Sequence, residues 1–187
     1  MSTREHRGIK YWIPVSLVVL ALTACGGTSG GTAHSSVSSG DPCSLASVAQ
    51  VQTLYPKVGR AKARGTHECD YYPSSGPWVK VAYLAIQVIS SDGQNARTFV
   101  ATGAPPGALI GSIPGIGDSA AYQVAPATPA TSVIHLPPNL VALAAVKGNR
   151  VVIFTFMGPL NDFPGQAPGQ AGFAKATALL SQVVAKL

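Results

Sequence analysis

Apolar residues fall at helical spacing at both ends of the main part of the chain and alternate or cluster in between. Leu45, Val48, Val51, Leu54 and Tyr55 lie three or four apart, and Ser47 with Gln50 has the spacing of a capping box, where hydroxyl and amide side chains satisfy free helix amides reciprocally. Pro56 forbids continuation, so the pattern predicts a short amphipathic helix whose stripe needs a sheet to cover. "THECDYY", residues 66–72, and Trp78 to Ser90 are rich in β-branched and aromatic residues on either side of the turn-like "PSSGP", which predicts a hairpin. Residues 92–102 suit a short helix. Glycine and proline then cut the chain into loops until a strand at Ala120 to Val124, and "APATPATS" reads as a surface excursion.

The strongest pattern is "LVALAAVKGNRVVIFTF", residues 140–156, with Gly148-Asn149 as a two-residue hairpin turn that demands positive φ. That register places Val141 with Phe156, Leu143 with Phe154, Ala145 with Val152 and Lys147 with Arg150 on one face. The other face carries Ala142 with Thr155, Ala144 with Ile153 and Val146 with Val151. The aromatic face is the expected core. The small-residue face is either covered by a thin layer or forms the floor of a shallow groove for an apolar ligand. From about Gln170 a last helix presents Phe173, Ala176, Leu180, Val183, Val184 and Leu187 on one stripe. Helix, strands, helix, strands, helix predicts an α+β fold, a single domain with an antiparallel sheet and helices packed mainly on one face.

Ahead of this domain, Arg4, Arg7 and Lys10 precede the apolar run Tyr11 to Leu22, which is short for a bilayer span of about 20 residues and fits a secretory signal peptide. Leu22-Thr23-Ala24-Cys25 resembles the lipobox of bacterial lipoproteins. The resemblance implies cleavage after Ala24, a diacylglyceryl group on the Cys25 thiol, and attachment to the extracytoplasmic face of the cell membrane through two acyl chains, the number that stable anchoring needs. Residues 26–40 are almost all glycine, serine and small polar residues. Such a segment behaves as a flexible tether spanning on the order of 20 to 23 Å. The expected organisation is a leader over 1–24, a lipidated cysteine and tether over 25–40, and a globular domain over 41–187.

The whole chain carries a net charge of +6, and losing the leader's three bases and one acid leaves about +4. Charged residues make up 11% of the sequence, too few for a broad nucleic-acid footprint. The basic run "KVGRAKARG", with Lys57, Arg60, Lys62 and Arg64, reads first as a solvated loop or strand edge, and second as a contact for anionic headgroups or acidic wall polymers. Once Cys25 is acylated, Cys43 and Cys69 remain, and an oxidising compartment favours a disulfide between them. "HECD", residues 67–70, does not make a metal site, because strand alternation sends His67 and Cys69 one way and Glu68 and Asp70 the other.

"DPCSLASVAQVQTL", "CDYY", "IPGIGDSAAY" and "VKGNRVVIFTF" together resemble a family of small actinobacterial lipoproteins whose conserved domain has no known function. Cys43, Cys69, Gly115, Gly117, Asp118, Ala120 and Tyr122 match its pattern over residues 41–187, with Asp70 intervening between the cysteine and Tyr71, and with "APATPATSVIHLPPN" as a departure. The resemblance implies a cell-envelope accessory protein and supplies no catalytic residue.

No Gly-x-Ser-x-Gly stands at a strand-to-helix turn, and "GSIPGIG", residues 111–117, lacks the Lys-Ser/Thr of a P-loop and the following helix of a dinucleotide fingerprint, so neither a catalytic motif nor a cofactor is expected. His67 and His135 are the candidate bases of the folded part, His135 being read first as an ordinary strand-end histidine, and Asp118 reads as the partner of a local turn. The leading expectation is a non-catalytic, membrane-anchored module for an envelope protein or apolar ligand. A cryptic hydrolase of wall or lipid esters, and a structural or antigenic surface module, are the alternatives.

Overall fold

The computed structural model describes residues 41–77, 79–127, 138–158 and 167–187. Cys25, Trp78, His135 and the expected leader and tether lie outside the described residues. The described residues belong to one compact unit, Ser36–Leu187.

A 3-10 turn, Pro42–Ser44, leads into helix α1, Val48–Gln52, where Ser47 and Gln50 make both bonds of the capping box. Strands β1, Val58–Arg64, β2, Glu68–Pro73, and β3, Leu84–Ser90, follow, then helix α2, Ala96–Ala101. Strands β4, Leu109–Ser112, β5, Ser119–Ala125, β6, Asn139–Lys147, and β7, Arg150–Phe156, precede helix α3, Ala171–Val184. The seven strands form one open antiparallel sheet ordered β1-β2-β3-β7-β6-β5-β4. The α+β class, with the helices packed against an antiparallel sheet, is as the hydrophobic pattern predicts.

The main core lies on the face predicted for it. Val51, Leu54 and Tyr55 around α1, and Ala176, Leu179, Leu180 and Val183 of α3, pack on Tyr71, Leu84, Ile86, Leu143, Val152 and Phe154 of the sheet. At about 25 cal/mol per Å² of apolar surface, each such large side chain contributes roughly 1.5–3 kcal/mol. Gln50 Nε2 donates to Gln182 Oε1 at 2.9 Å and Lys186 Nζ to the Leu45 carbonyl at 2.6 Å, so the two helical ends also meet through polar groups. α2 alone lies on the second face. Its Ala96 and Val100 cover Ala121, Ala144, Val146 and Val151.

The β6–β7 register holds from Ala142 with Thr155 to Lys147 with Arg150. Val141 does not pair with Phe156 as expected. Against β5, one step from Gln123 to Val124 spans two residues on β6, from Ala142 to Leu140. This bulge at Val141 inverts the alternation, so fully buried Leu140 takes the core position that the sequence pattern assigns to Val141. In the turn only Gly148 has positive φ, +58°, while Asn149 does not, the pattern of a type II′ turn.

Two further elements differ from expectation, whereas the basic run falls within its first reading of a loop or strand edge. That run is the edge strand β1. β4 forms inside a segment that reads as loop. The strand expected from Trp78 begins only at Leu84, because the Val79 amide turns back to the Gly76 carbonyl at 3.2 Å and Lys80 and Val81 lie exposed.

Candidate functional site

Cys43 and Cys69 form a disulfide, with Cα atoms 5.0 Å apart, that fastens the 3-10 turn to β2. Its position follows from strand alternation. Cys69 and Tyr71 point into the core, where the Tyr71 hydroxyl donates to the Ala46 carbonyl at 2.7 Å. Burial pushes the Tyr71 phenol well above its usual pKa, with the charge of Asp41 acting in the same direction. The charged neighbours Glu68 and Asp70 are thereby sent to the second face.

That face has two halves. The half formed by β4, β5, β6 and the start of β7 lies under α2: Ala144 and Val151 are fully buried and Val146 is 6% exposed. The groove expected over Ala144, Val146 and Val151 is therefore not open, because α2 occupies it with Ala96 and Val100. The remaining members of the expected ligand face stand at its margin, Ala142 and Ile153 half-buried and Thr155 exposed. They continue across the strands as a row in register, Gln123, Ala142, Thr155, Ala85, Asp70 and Lys62.

The β1–β2 end of this face is charged. Arg60 pairs with Tyr72, Lys62 with Asp70 and Arg64 with Glu68 across the two strands. Arg60 stacks on the Tyr72 ring with its guanidinium carbon 4.9 Å from the centroid, and its Nη2 donates to the Val79 carbonyl at 2.6 Å. Arg64 bonds Glu68 Oε1 through Nη2 and stands 3.4 Å from Asp70 Oδ2 through Nε. The bond to Glu68 first, and the charge of Asp70 next, hold the Arg64 pKa above its usual range. Tyr72 donates to Asp70 Oδ2 at 3.1 Å, and burial followed by that bond raises the Tyr72 pKa. Asp70 is 4% exposed, and its Oδ1 has no hydrogen-bond partner among the described residues.

The Gly-x-Gly-Asp segment is structural. Gly117 has φ +58°, and a Cβ there would strike the Val146 carbonyl oxygen. The Asp118 amide donates to that carbonyl at 2.7 Å, and Asp118 Oδ2 accepts from the Gly148 amide at 2.7 Å. Asp118 thus holds the β6–β7 turn, a bond to another element's turn that the sequence could not specify. Tyr122 packs edge-on against Phe173 at 5.2 Å and covers Gly111, where no side chain fits.

Among the described residues no three metal-ligating side chains converge. His67 lies exposed in the β1–β2 turn. Surface hollows beside α1 and α3, at Gln50, Lys175 and Gln182, and along α2, at Asn95, Arg97 and Thr102, are lined by neither a histidine nor a carboxylate. No helix among the described residues is long and apolar enough to cross a membrane. Comparison with known proteins gives no match to a family model, a curated protein or a solved structure.

Proposed function

We propose that this protein is an exported lipoprotein, held to the extracytoplasmic face of the cell membrane by a diacylglyceryl group on Cys25, and that its domain is a non-catalytic binding or accessory module of the cell envelope. The observation that carries this reading is Leu22-Thr23-Ala24-Cys25 at the exit of a short apolar run behind a basic start. A Gly/Ser segment separates Cys25 from the folded part, and the Cys43–Cys69 disulfide fits an oxidising compartment. The resemblance to small actinobacterial lipoproteins points the same way. A role in binding is supported by the partly open second face, where Asp70 keeps an unused acceptor beside Arg64 and Tyr72.

The test is Cys25→Ala expressed in an actinobacterial host, with labelled fatty acid incorporation and membrane fractionation as readouts. The wild type should carry label and sediment with membranes. The variant should lose both. Equal labelling and retention of the two proteins would overturn the lipoprotein reading.

A further inference from the structure

We infer that the β1 edge of the sheet is a docking surface for an anionic phospholipid bilayer, which lays the domain against the membrane; the inference rests on the lipoprotein reading and adds an orientation to it. Four observations combine. Arg60, Lys62 and Arg64 project from the same face of an exposed edge strand, and exposed Lys80 sits next to Val79, whose carbonyl Arg60 holds. The acids nearby are recessed: the Glu68 and Asp70 side chains are 17% and 6% exposed against 65% for Arg64, so cations stand outermost. Lys62 and Lys80 are paired with no acid among the described residues.

The third observation separates a bilayer from a soluble polyanion. Val81 and Met157 are among the large apolar side chains left exposed, at 40% and 42%, and Val81 directly follows Lys80. The Met157 amide donates to the carbonyl of Tyr83, two residues beyond Val81, at 3.0 Å. Cations beside apolar side chains match a headgroup layer over acyl chains. Fourth, the chain coming from Cys25 reaches Asp41 next to the turn that the disulfide fastens to β2, the neighbour of β1. A tether entering the domain at that point keeps the basic edge within reach of the bilayer at high effective concentration, so modest intrinsic affinity suffices.

The experiment uses residues 25–187 carrying Cys25→Ser, which has no acyl chain, so its outcome is independent of whether Cys25 is lipidated. Flotation is measured with vesicles of phosphatidylcholine alone and of three parts phosphatidylcholine to one part phosphatidylglycerol, at low and physiological salt. Binding should require phosphatidylglycerol and weaken with salt. Lys62→Gln with Lys80→Gln should weaken it about 25-fold, at roughly fivefold for each basic residue near an anionic surface. Arg97→Gln with Lys175→Gln removes the same charge from α2 and α3 and should change it by less than about twofold. Val81→Asn with Met157→Gln should weaken vesicle binding while leaving binding to polyphosphate unchanged. Equal effects of the two charge pairs, equal binding to neutral vesicles, or binding to polyphosphate alone would each overturn the docking surface.

Discussion

Breaking the Cys43–Cys69 bond perturbs one defined constraint, and its cost can be worked from the structure. The bridge joins residues 26 apart, closing a loop that includes α1, β1 and the β1–β2 turn. In the chain-entropy model a loop of this length is worth roughly 3.5 kcal/mol. That is a large part of the about 5–15 kcal/mol of a typical domain. For a domain of this size it corresponds to a fall in Tm of roughly 10 °C. The two cysteines are not equivalent. Cys69 is fully buried and Cys43 only half-buried, so serine at 69 adds about 1–3 kcal/mol for an unsatisfied hydroxyl, whereas serine at 43 adds little. Cys43→Ala, Cys69→Ala and the double variant should therefore lie close together, with Cys69→Ser below all three. Calorimetry with and without a phosphine reductant, and peptide mapping under non-reducing conditions, provide the readout. A reduced protein melting within about 2 °C of the oxidised one, or two free thiols in protein from its native envelope, would refute the reasoning.

Ala144→Trp should prevent stable folding rather than fill a groove, because Ala144 is fully buried beneath α2, and loss of the cooperative melting transition would show it. Gly117→Ala should cost at least about 1–3 kcal/mol through positive φ and the Val146 carbonyl, measured as a lower urea midpoint. Asp118→Ala, which leaves the Gly148 amide without its acceptor, should cost about 1 kcal/mol and loosen the β6–β7 turn, visible as faster amide exchange at Gly148. The Tyr71 phenol holds its proton more tightly folded than unfolded, so above pH about 10 the native state binds more protons and stability falls as pH rises. Tyr71→Phe should flatten the fall in urea midpoint between pH 9 and 11, and an unchanged slope would reject the assignment.

The elements with two independent signals were legible in the sequence. α1 had both periodicity and a capping box, and the β6–β7 hairpin had alternation and a Gly-Asn turn, so its register could be written residue by residue. β1 stayed open between loop and strand edge, because "VGRAKAR" alternates cations with glycine and alanine and lacks the apolar face that marks a strand; as an edge it needs none. β4 is four residues long and contains Gly111, a residue explained only by the Tyr122 ring across from it. The small-residue face of β6 and β7 was ambiguous between lid and groove, since whether α2 folds back over it depends on a contact between segments far apart in sequence. The charged end of that face was half visible. Strand alternation separated Asp70 from Cys69, but its meeting with Arg64 depends on the β1–β2 register, and the bulge at Val141 left no signal at all.

The order of strands also bears on how the chain finds its fold. β1, β2 and β3 form one meander and β4 to β7 another, each built from neighbours in sequence, and the two join only where β3 lies against β7 in the middle of the sheet. Ser90 there meets Arg150 and Leu84 meets Phe156, so that seam closes a loop holding α2 and β4 to β6. Local hairpins form in microseconds, whereas a distant pairing must first overcome the loop-closure entropy. The β3–β7 seam is the slow step that this topology imposes. The disulfide joins the N-terminal turn to the first meander, so oxidation stabilises one folding partner without shortening the loop that separates it from the other.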